Sequence, residues 1–252
     1  MTQPNLIYLV SAAVIFLSLL CAVARPTLFL SRVLFIVYIP VGLWAVFLRY
    51  YYSFPMTPMF FGTAGTPPLL ALLGAISFRR FSQPSGLFFY RSLLFLTCAV
   101  SLSQVFFPKD FYLPFLKTAT FFSQAHLAFA LLGKASFLLS GLLALELTLR
   151  KGDGNPARFF LYLILGFCFW TLSMFSGEAW SYLGWGLPVV WDDASIVAFL
   201  ATWFFYTALL HLHLTGDFSA RLRANLAAFG LIWVLAVNCL PDLGPWRFPP
   251  RF

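Results

Sequence analysis

Apolar residues along this chain gather into long runs, and the short stretches between them hold most of the charge. A helix needs about 20 apolar residues to cross the hydrocarbon core of a bilayer. Runs of that order occupy residues 6–24, 28–48, 58–78, 87–107, 119–149, 159–175, 194–214 and 222–240. The pattern predicts an all-α, polytopic membrane protein of about eight transmembrane helices, a single integral-membrane domain over residues 1–252. No stretch is left for a separate soluble domain. The third run is interrupted by Gly62, Gly65, Pro67 and Pro68. That predicts a broken or partly re-entrant helix, tolerable only where protein or a cavity covers the freed backbone. The fifth run is overlong and would tilt or protrude. The first 24 residues lack a basic n-region and a clear cleavage site, so the first run reads as a retained span.

Composition supports this picture: 61% of residues are hydrophobic, 10% are charged, and mean hydropathy is +0.87. Soluble domains carry roughly 25% charged residues. The net charge of +8 becomes informative through its distribution. One set of alternate connections holds ten basic residues, namely Arg25, Arg32, Arg79, Arg80, Arg91, Arg150, Lys151, Arg158, Arg221 and Arg223. The opposite set holds Arg49, Lys109, Lys117, Arg247 and Arg251, and Lys134 falls inside a span. The positive-inside rule puts the richer set in the cytoplasm. Both termini and the stretch between the sixth and seventh spans then face outward. The basic balance reads as anchoring to the lipid bilayer and gives no sign of nucleic-acid binding.

That outward stretch, SGEAWSYLGWGLPVVWDDASIVAFLATW over residues 176–203, carries Trp180, Trp185 and Trp191 with Glu178, Asp192 and Asp193. It reads as a Gly- and Pro-interrupted loop between two membrane helices, with indoles that would make a platform for a large planar ligand. A plainer reading stands beside it. Tryptophan is enriched at membrane–water interfaces, and Asp before an apolar run caps a helix N-terminus.

His126 lies about seven residues into the fifth run, roughly 10 Å below its outer end, level with the Trp-rich stretch. Neutral imidazole is a common haem-iron ligand, but a His bonded to a neighbouring helix fits as well. His211 and His213, near the inner end of the seventh run, lie 200° apart on a helical wheel, so one site can use only one of them. His211 continues a stripe with Trp203 and Thr207. Intramembrane charges are functional candidates: Lys134 suits either a site or an ion pair, and Glu146 reads as an i,i+4 partner of Arg150. The four Cys, at 21, 98, 168 and 239, form no CxxC pair and read as small apolar residues. No stretch resembles a P-loop, a dinucleotide fingerprint, a nucleophile elbow or a zinc site.

The central stretch resembles the Trp-rich signature of the cytochrome c assembly family of membrane haem handlers (the CcsA, ResC and CcmC type), approximately G-x-x-W-x-x-x-x-W-G-x-x-W-x-W-D-x-x-E. Gly177, Trp180, Trp185, Gly186, Trp191 and Asp192 fall in register without a gap, while Val189 and Ser195 stand where Trp and Glu are expected. QAHLAFALLGKASFLLSGLLALEL around His126, FPMTPMFFGTAGTPPLLALLGAISF, and ATWFFYTALLHLHLTGDFSARLRANLAAFGLIWVLAVN are similar to further helices of the family, so the resemblance covers about residues 54–240. It implies His126 as an outer axial ligand of haem iron, Trp180, Trp185, Trp191 and Asp192 as the cradle of the macrocycle, and His211 as an inner intramembrane ligand. The implied cofactor is haem of the b type, held non-covalently in transit. Propionate partners would come from Arg49, Lys109, Lys117 and Arg247, since carboxylates favour charge-assisted bonds. The family's second outer His is absent, because CLPDLGPWRFPPRF follows Asn238.

The resemblance implies a haem-handling protein of a bacterial inner (plasma) membrane, presenting haem at the outer face for cytochrome c maturation. It would work with apocytochrome c and with ResB-like or thioredoxin-like maturation proteins, and would not be an enzyme by itself. Two other readings stay open: a HemX-like accessory protein acting through partners, and a transporter of another amphipathic solute, which the broken third run would suit.

Overall fold

The computed structural model describes residues 3–54, 61–78, 84–108, 120–149, 156–215 and 218–246. All regular structure among them is helical, as the long apolar runs require, because a helix satisfies its backbone within one segment. Among the described residues, seven helices are long and apolar enough to cross a membrane. The protein is an all-α polytopic membrane protein, and its chain divides into two compact units, Met1–Pro114 with Asp242–Phe252, and Phe115–Pro241.

The first unit contains α1 (Gln3–Val23), α2 (Leu28–Ser53), α3 (Phe61–Ala64), α4 (Thr66–Ser77) and α5 (Pro84–Phe106). A 3-10 turn over Arg25–Thr27 folds α1 back on α2. Two serines lock the pair: Ser18 Oγ donates to the Ser31 carbonyl and Ser31 Oγ to the Ser18 carbonyl, each at 2.8 Å. The Tyr90 hydroxyl joins them from α5, 2.7 Å from Ser31 Oγ. One residue on, Arg91 donates to the carbonyls of Ala22 and Val23 at 2.9 and 3.0 Å. These belong to the last turn of α1, whose carbonyls have no intrahelical partner and where positive charge is favourable. At the other end of α5, Gly244 N donates to the Phe107 carbonyl and Trp246 stacks on Phe106, 5.2 Å between centroids.

The third apolar run departs from the other seven. It forms the four-residue α3, breaks at Gly65, and resumes as the 12-residue α4, too short to span alone. Pro67 and Pro68 at the start of α4 lack the N–H groups that a helix N-terminus leaves unbonded. The break therefore leaves few donors to satisfy. Thr63, Ala64, Gly65, Thr66, Pro67 and Pro68 are all buried, so protein covers the break, as expected for irregular backbone at membrane depth.

The second unit is built on α6 (Phe121–Leu149), against which α7 (Pro156–Trp185) and α9 (Ala220–Val234) pack, with α8 (Ala194–Leu214) beside α7 and α9. Close approach is set by small residues. A Cβ on Gly141 would come within 2.7 Å of the Leu231 Cβ and 3.1 Å of the Leu231 backbone nitrogen. Aromatic rings fill the spaces between: Phe137 stacks on Tyr206 at 3.5 Å and Trp170 on Phe199 at 3.7 Å.

The intramembrane Lys134, for which the sequence left an ion pair open, donates from Nζ to the backbone carbonyl of Asn238 at 2.9 Å and is buried. Asn238 lies in a π-helical turn, Leu235–Cys239, that continues α9. Its side chain and the Trp233 indole both donate to Thr202 Oγ1, at 2.7 and 3.1 Å. A cation on the last carbonyls of a helix complements its dipole. Arg150, expected to pair with Glu146, lies outside the described residues, as do Arg79, Arg80 and Lys151.

The stretch 176–203, expected as a loop, is mostly helix. Gly177 and Gly184 do not interrupt α7, which runs on to Trp185. It ends at Gly186, whose φ of 75° and bond to the Tyr182 carbonyl at 2.9 Å form a left-handed cap of the kind Gly supplies without strain. Only residues 186–193 link the helices. Asp193 caps α8, its carboxylate accepting from Ser195 N at 2.7 Å.

Gly141→Val is expected to push α9 off α6 and destabilise the protein by roughly 1–3 kcal/mol, the usual penalty of overpacking. Thermal melts in detergent would show it as a lowered midpoint relative to Ala228→Val, and equal midpoints would refute the close helix approach.

Candidate functional site around His126

Three elements of the second unit converge on His126. α6 carries the imidazole near its start, α7 supplies Ser173, Gly177 and Trp180, and α8 supplies Phe199. Ser173, Gly177 and Trp180 follow at spacings of four and three residues, so they share one helical face. Gly177 is what lets the ring lie there: a Cβ at that position would sit 2.8 Å from His126 Nδ1. The Trp180 and Phe199 rings flank the imidazole with centroids at 6.0 and 5.5 Å. Phe199 is itself held against Trp170, whose indole nitrogen donates to the Phe199 carbonyl at 3.1 Å.

The hydrogen bonds fix which ring nitrogen carries the proton. His126 Nδ1 lies 2.9 Å from the Ser173 carbonyl and 3.0 Å from Ser173 Oγ. A carbonyl only accepts, and the one proton of the Ser173 hydroxyl goes to the His126 carbonyl at 2.8 Å. Both contacts therefore require Nδ1–H. In the neutral ring that leaves the Nε2 lone pair unprotonated and turned away from Ser173, the state in which histidine binds metal while its other nitrogen is held by a carbonyl.

The indole pair continues outward from the imidazole. Trp185 meets Trp180 edge-on at 5.6 Å and is partly exposed at 42%. Ser181, buried between them in sequence, donates to the Leu187 carbonyl at 2.7 Å and ties the linker to α7. His126, Trp180 and Trp185 thus form one contiguous cluster. Trp191 and Asp192 lie exposed in the linker between α7 and α8.

His211 is placed elsewhere. It is exposed on α8 twelve residues past Phe199, about 18 Å further along the axis, with Nδ1 on the Thr207 carbonyl at 2.8 Å. Two turns back, Trp203 donates to Thr171 Oγ1 at 3.0 Å. His213 points to a different environment, stacked on Phe160 at 4.7 Å and edge-on to Phe159 at 5.8 Å, as the 200° separation of the two residues requires. Of the expected propionate partners, Lys109, Lys117 and Arg247 lie outside the described residues, and Arg49 belongs to the first unit, its guanidinium over the Tyr8 ring at 6.0 Å. Among the described residues no group of three or more His, Cys, Asp or Glu could hold a metal ion, so any iron here would rest on a single imidazole from this cluster. Sequence reasoning missed Ser173 and Phe199. The spacing of Ser173 from Gly177 carried a signal for the first, and nothing local marked the second.

No family model matches the chain. It is similar to cytochrome c biogenesis proteins CcsA. The protein of Thermosynechococcus vestitus is 41% identical over 80 residues, 30% of this chain and 25% of that protein. The protein of Chlorella vulgaris is 28% identical over 233 residues, 78% of this chain and 70% of that protein. The protein of Prochlorococcus marinus strain MIT 9312 is 36% identical over 73 residues, 29% of this chain and 23% of that protein. The match therefore spans about a quarter of the first and third relatives and most of the second.

Nitrogen-15 NMR of labelled histidine is expected to show His126 as the neutral, Nδ1-protonated tautomer. Ser173→Ala keeps the carbonyl acceptor and should keep that tautomer, whereas Gly177→Ala should lose it by displacing the ring. A Nε2-protonated ring in the wild type would overturn the assignment.

Proposed function

We propose, from its similarity to CcsA proteins, that the chain is a divergent member of the CcsA-type family, and that it binds haem and presents it for cytochrome c biogenesis. The observation that carries this reading is the Nδ1-bonded His126 beside the indoles of Trp180 and Trp185. The residues fit the group. Haem iron takes a neutral imidazole nitrogen, and Ser173 leaves Nε2 in that form. The macrocycle is a flat apolar plate, and indole faces supply large apolar area with a polar edge. Haem would bring an iron that accepts an imidazole nitrogen and two carboxylates that accept hydrogen bonds. The chain's own residues orient and shield: Ser173 holds the imidazole, Gly177 admits it, Trp180 and Phe199 keep water from its faces, and Trp185 offers the outer surface. Trp191 and Asp192, on the linker, would close over the ligand from the polar side. His211, with its own Nε2 directed away from the helix, would serve an inner position about 18 Å along α8.

The cofactor in this reading is b-type haem held non-covalently in transit. The partners are apocytochrome c, which brings the thiols that thioether bonds need, and ResB-like or thioredoxin-like maturation proteins. The setting is a bacterial inner membrane, with both termini and the Trp-rich linker outside. A second reading, a HemX-like accessory protein that acts through partners without delivering haem, is favoured by one observation: residues 239–252 contain no His.

Purified wild-type protein is expected to show a haem absorption spectrum that is five-coordinate, or six-coordinate only with a partner present. His126→Ala should abolish or strongly alter it, with partial return on adding imidazole. Trp185→Ala should weaken retention and leave the axial-ligand signature alone, because a lost indole removes apolar contact on the order of a few kcal/mol. A bis-histidine spectrum that survives His126→Ala would sink the ligand assignment, and no haem under any condition favours the accessory reading.

Orientation is tested separately. Ser195 and Ala220 are exposed at opposite ends of the α8 region. A cysteine at 195 is expected to react with a membrane-impermeant maleimide from outside, and one at 220 only after permeabilisation. The reverse pattern would invert the topology.

A further inference from the structure

The first unit contains polar groups that its own helices do not satisfy. Thr97 Oγ1 and both polar atoms of the Gln104 amide are buried without a hydrogen-bond partner, and the Tyr8 hydroxyl, buried with them, has only Ser101 to turn to, in residues that are 0%, 2% and 2% exposed. They come from two helices that meet: Thr97 and Gln104 lie seven residues apart on α5, hence on one face, and Val105 beside Gln104 packs with Tyr8 of α1. Ser101 stands between Thr97 and Gln104 on that face, its Oγ 2.9 Å from the Tyr38 hydroxyl of α2.

The break in the third helix lies in the same layer. Ala64, the last residue of α3, belongs to the apolar cluster of Tyr8 and Val105. Three residues past Gly65, α2 closes on the chain, where a Cβ on Gly42 would touch Pro68 at 3.0 Å and Tyr38 at 3.5 Å. Helix discontinuity at membrane depth is tolerated where the freed backbone is covered or lines a water-filled cavity. Here it adjoins an amide with two donors and two acceptors, and two hydroxyls that both donate and accept.

We infer that the first unit holds a hydrated pocket at membrane depth, a cluster of ordered water molecules bonded to Gln104, Tyr8 and Thr97 beside the break at Gly65. The groups are neutral and offer donors and acceptors alike, which suits water and selects neither an anion nor a cation. Buried water needs two to four polar partners, and these side chains supply them. The pocket is closed at one end. Between it and the satisfied Ser18–Ser31–Tyr90 group lie Ile15 of α1, Phe35 of α2 and Leu94 of α5, which are 0%, 2% and 0% exposed. These apolar side chains separate the two polar groups along α1, α2 and α5. At the other end the Arg49 guanidinium lies over the Tyr8 ring, near the C-terminus of α2, and gives water a polar way in.

Radiolytic hydroxyl-radical labelling of the full chain in lipid nanodiscs tests this, because ordered water generates the radical beside the groups it touches. Tyr206 is the control: it is 1% exposed, and its hydroxyl donates to the Gly230 carbonyl at 3.2 Å. Tyr8 is expected to be modified several-fold faster than Tyr206, and Gln104→Leu to bring it down toward the Tyr206 rate. Thr97→Val gives the same readout if Gln104→Leu does not fold. Equal rates for Tyr8 and Tyr206 in the wild type would overturn the pocket. So would a Gln104→Leu protein that melts higher with Tyr8 labelling unchanged, the mark of a dry and frustrated amide.

Discussion

A polar group at membrane depth has few partners besides protein, and much of this structure follows from that one constraint. Arg91 reaches back to the last carbonyls of α1, and Lys134 to a carbonyl at the end of α9. In both cases a long basic side chain from a neighbouring helix completes a helix terminus. Ser18 and Ser31 exchange bonds across the α1–α2 pair, and Thr202 gathers the donors of Asn238 and Trp233. Each of these ties fixes rotation and depth as well as contact. Apolar packing alone would leave helices free to slide, since lipid is as apolar as they are.

The same constraint prepares His126. An imidazole inside a helix bundle must place its protons, and Ser173 takes the one on Nδ1 with a carbonyl that cannot give it back. The opposite nitrogen is left as an acceptor directed away from α7. Gly177 then acts by absence, because any side chain there would occupy the space of the ring. The orientation and tautomer of the imidazole are thus a product of helix packing.

The membrane class and the element order were legible because twenty-residue apolar runs admit one solution. His126 and its level with Trp180 and Trp185 could also be read, since both lie at measurable distances from helix ends. What the sequence hid was the local geometry. Gly177 and Gly184 looked like interruptions, yet an isolated glycine costs a helix only about 1 kcal/mol, and apolar packing over thirty residues overrides it. Gly186 ends the helix because Pro188 follows and the chain must turn. Phe199 could not be found from spacing, because it reaches His126 only through the packing of α8 on α7. The break at Gly65 was legible from Pro67 and Pro68, but the unsatisfied amide of Gln104 near it was not.

The extension of α7 to Trp185 changes how the indoles can be approached. Thirty helical residues measure about 45 Å, against roughly 30 Å of hydrocarbon. Trp180 and Trp185 therefore ride on a rigid post near the headgroups, not on a flexible flap. A flat, greasy molecule dissolved in that leaflet would meet the indoles sideways, by two-dimensional diffusion among the lipids. A soluble acceptor would meet the same rings from above, at the linker. One helix end would then serve as a landing shared by two phases, and its stiffness would keep that landing at a constant height.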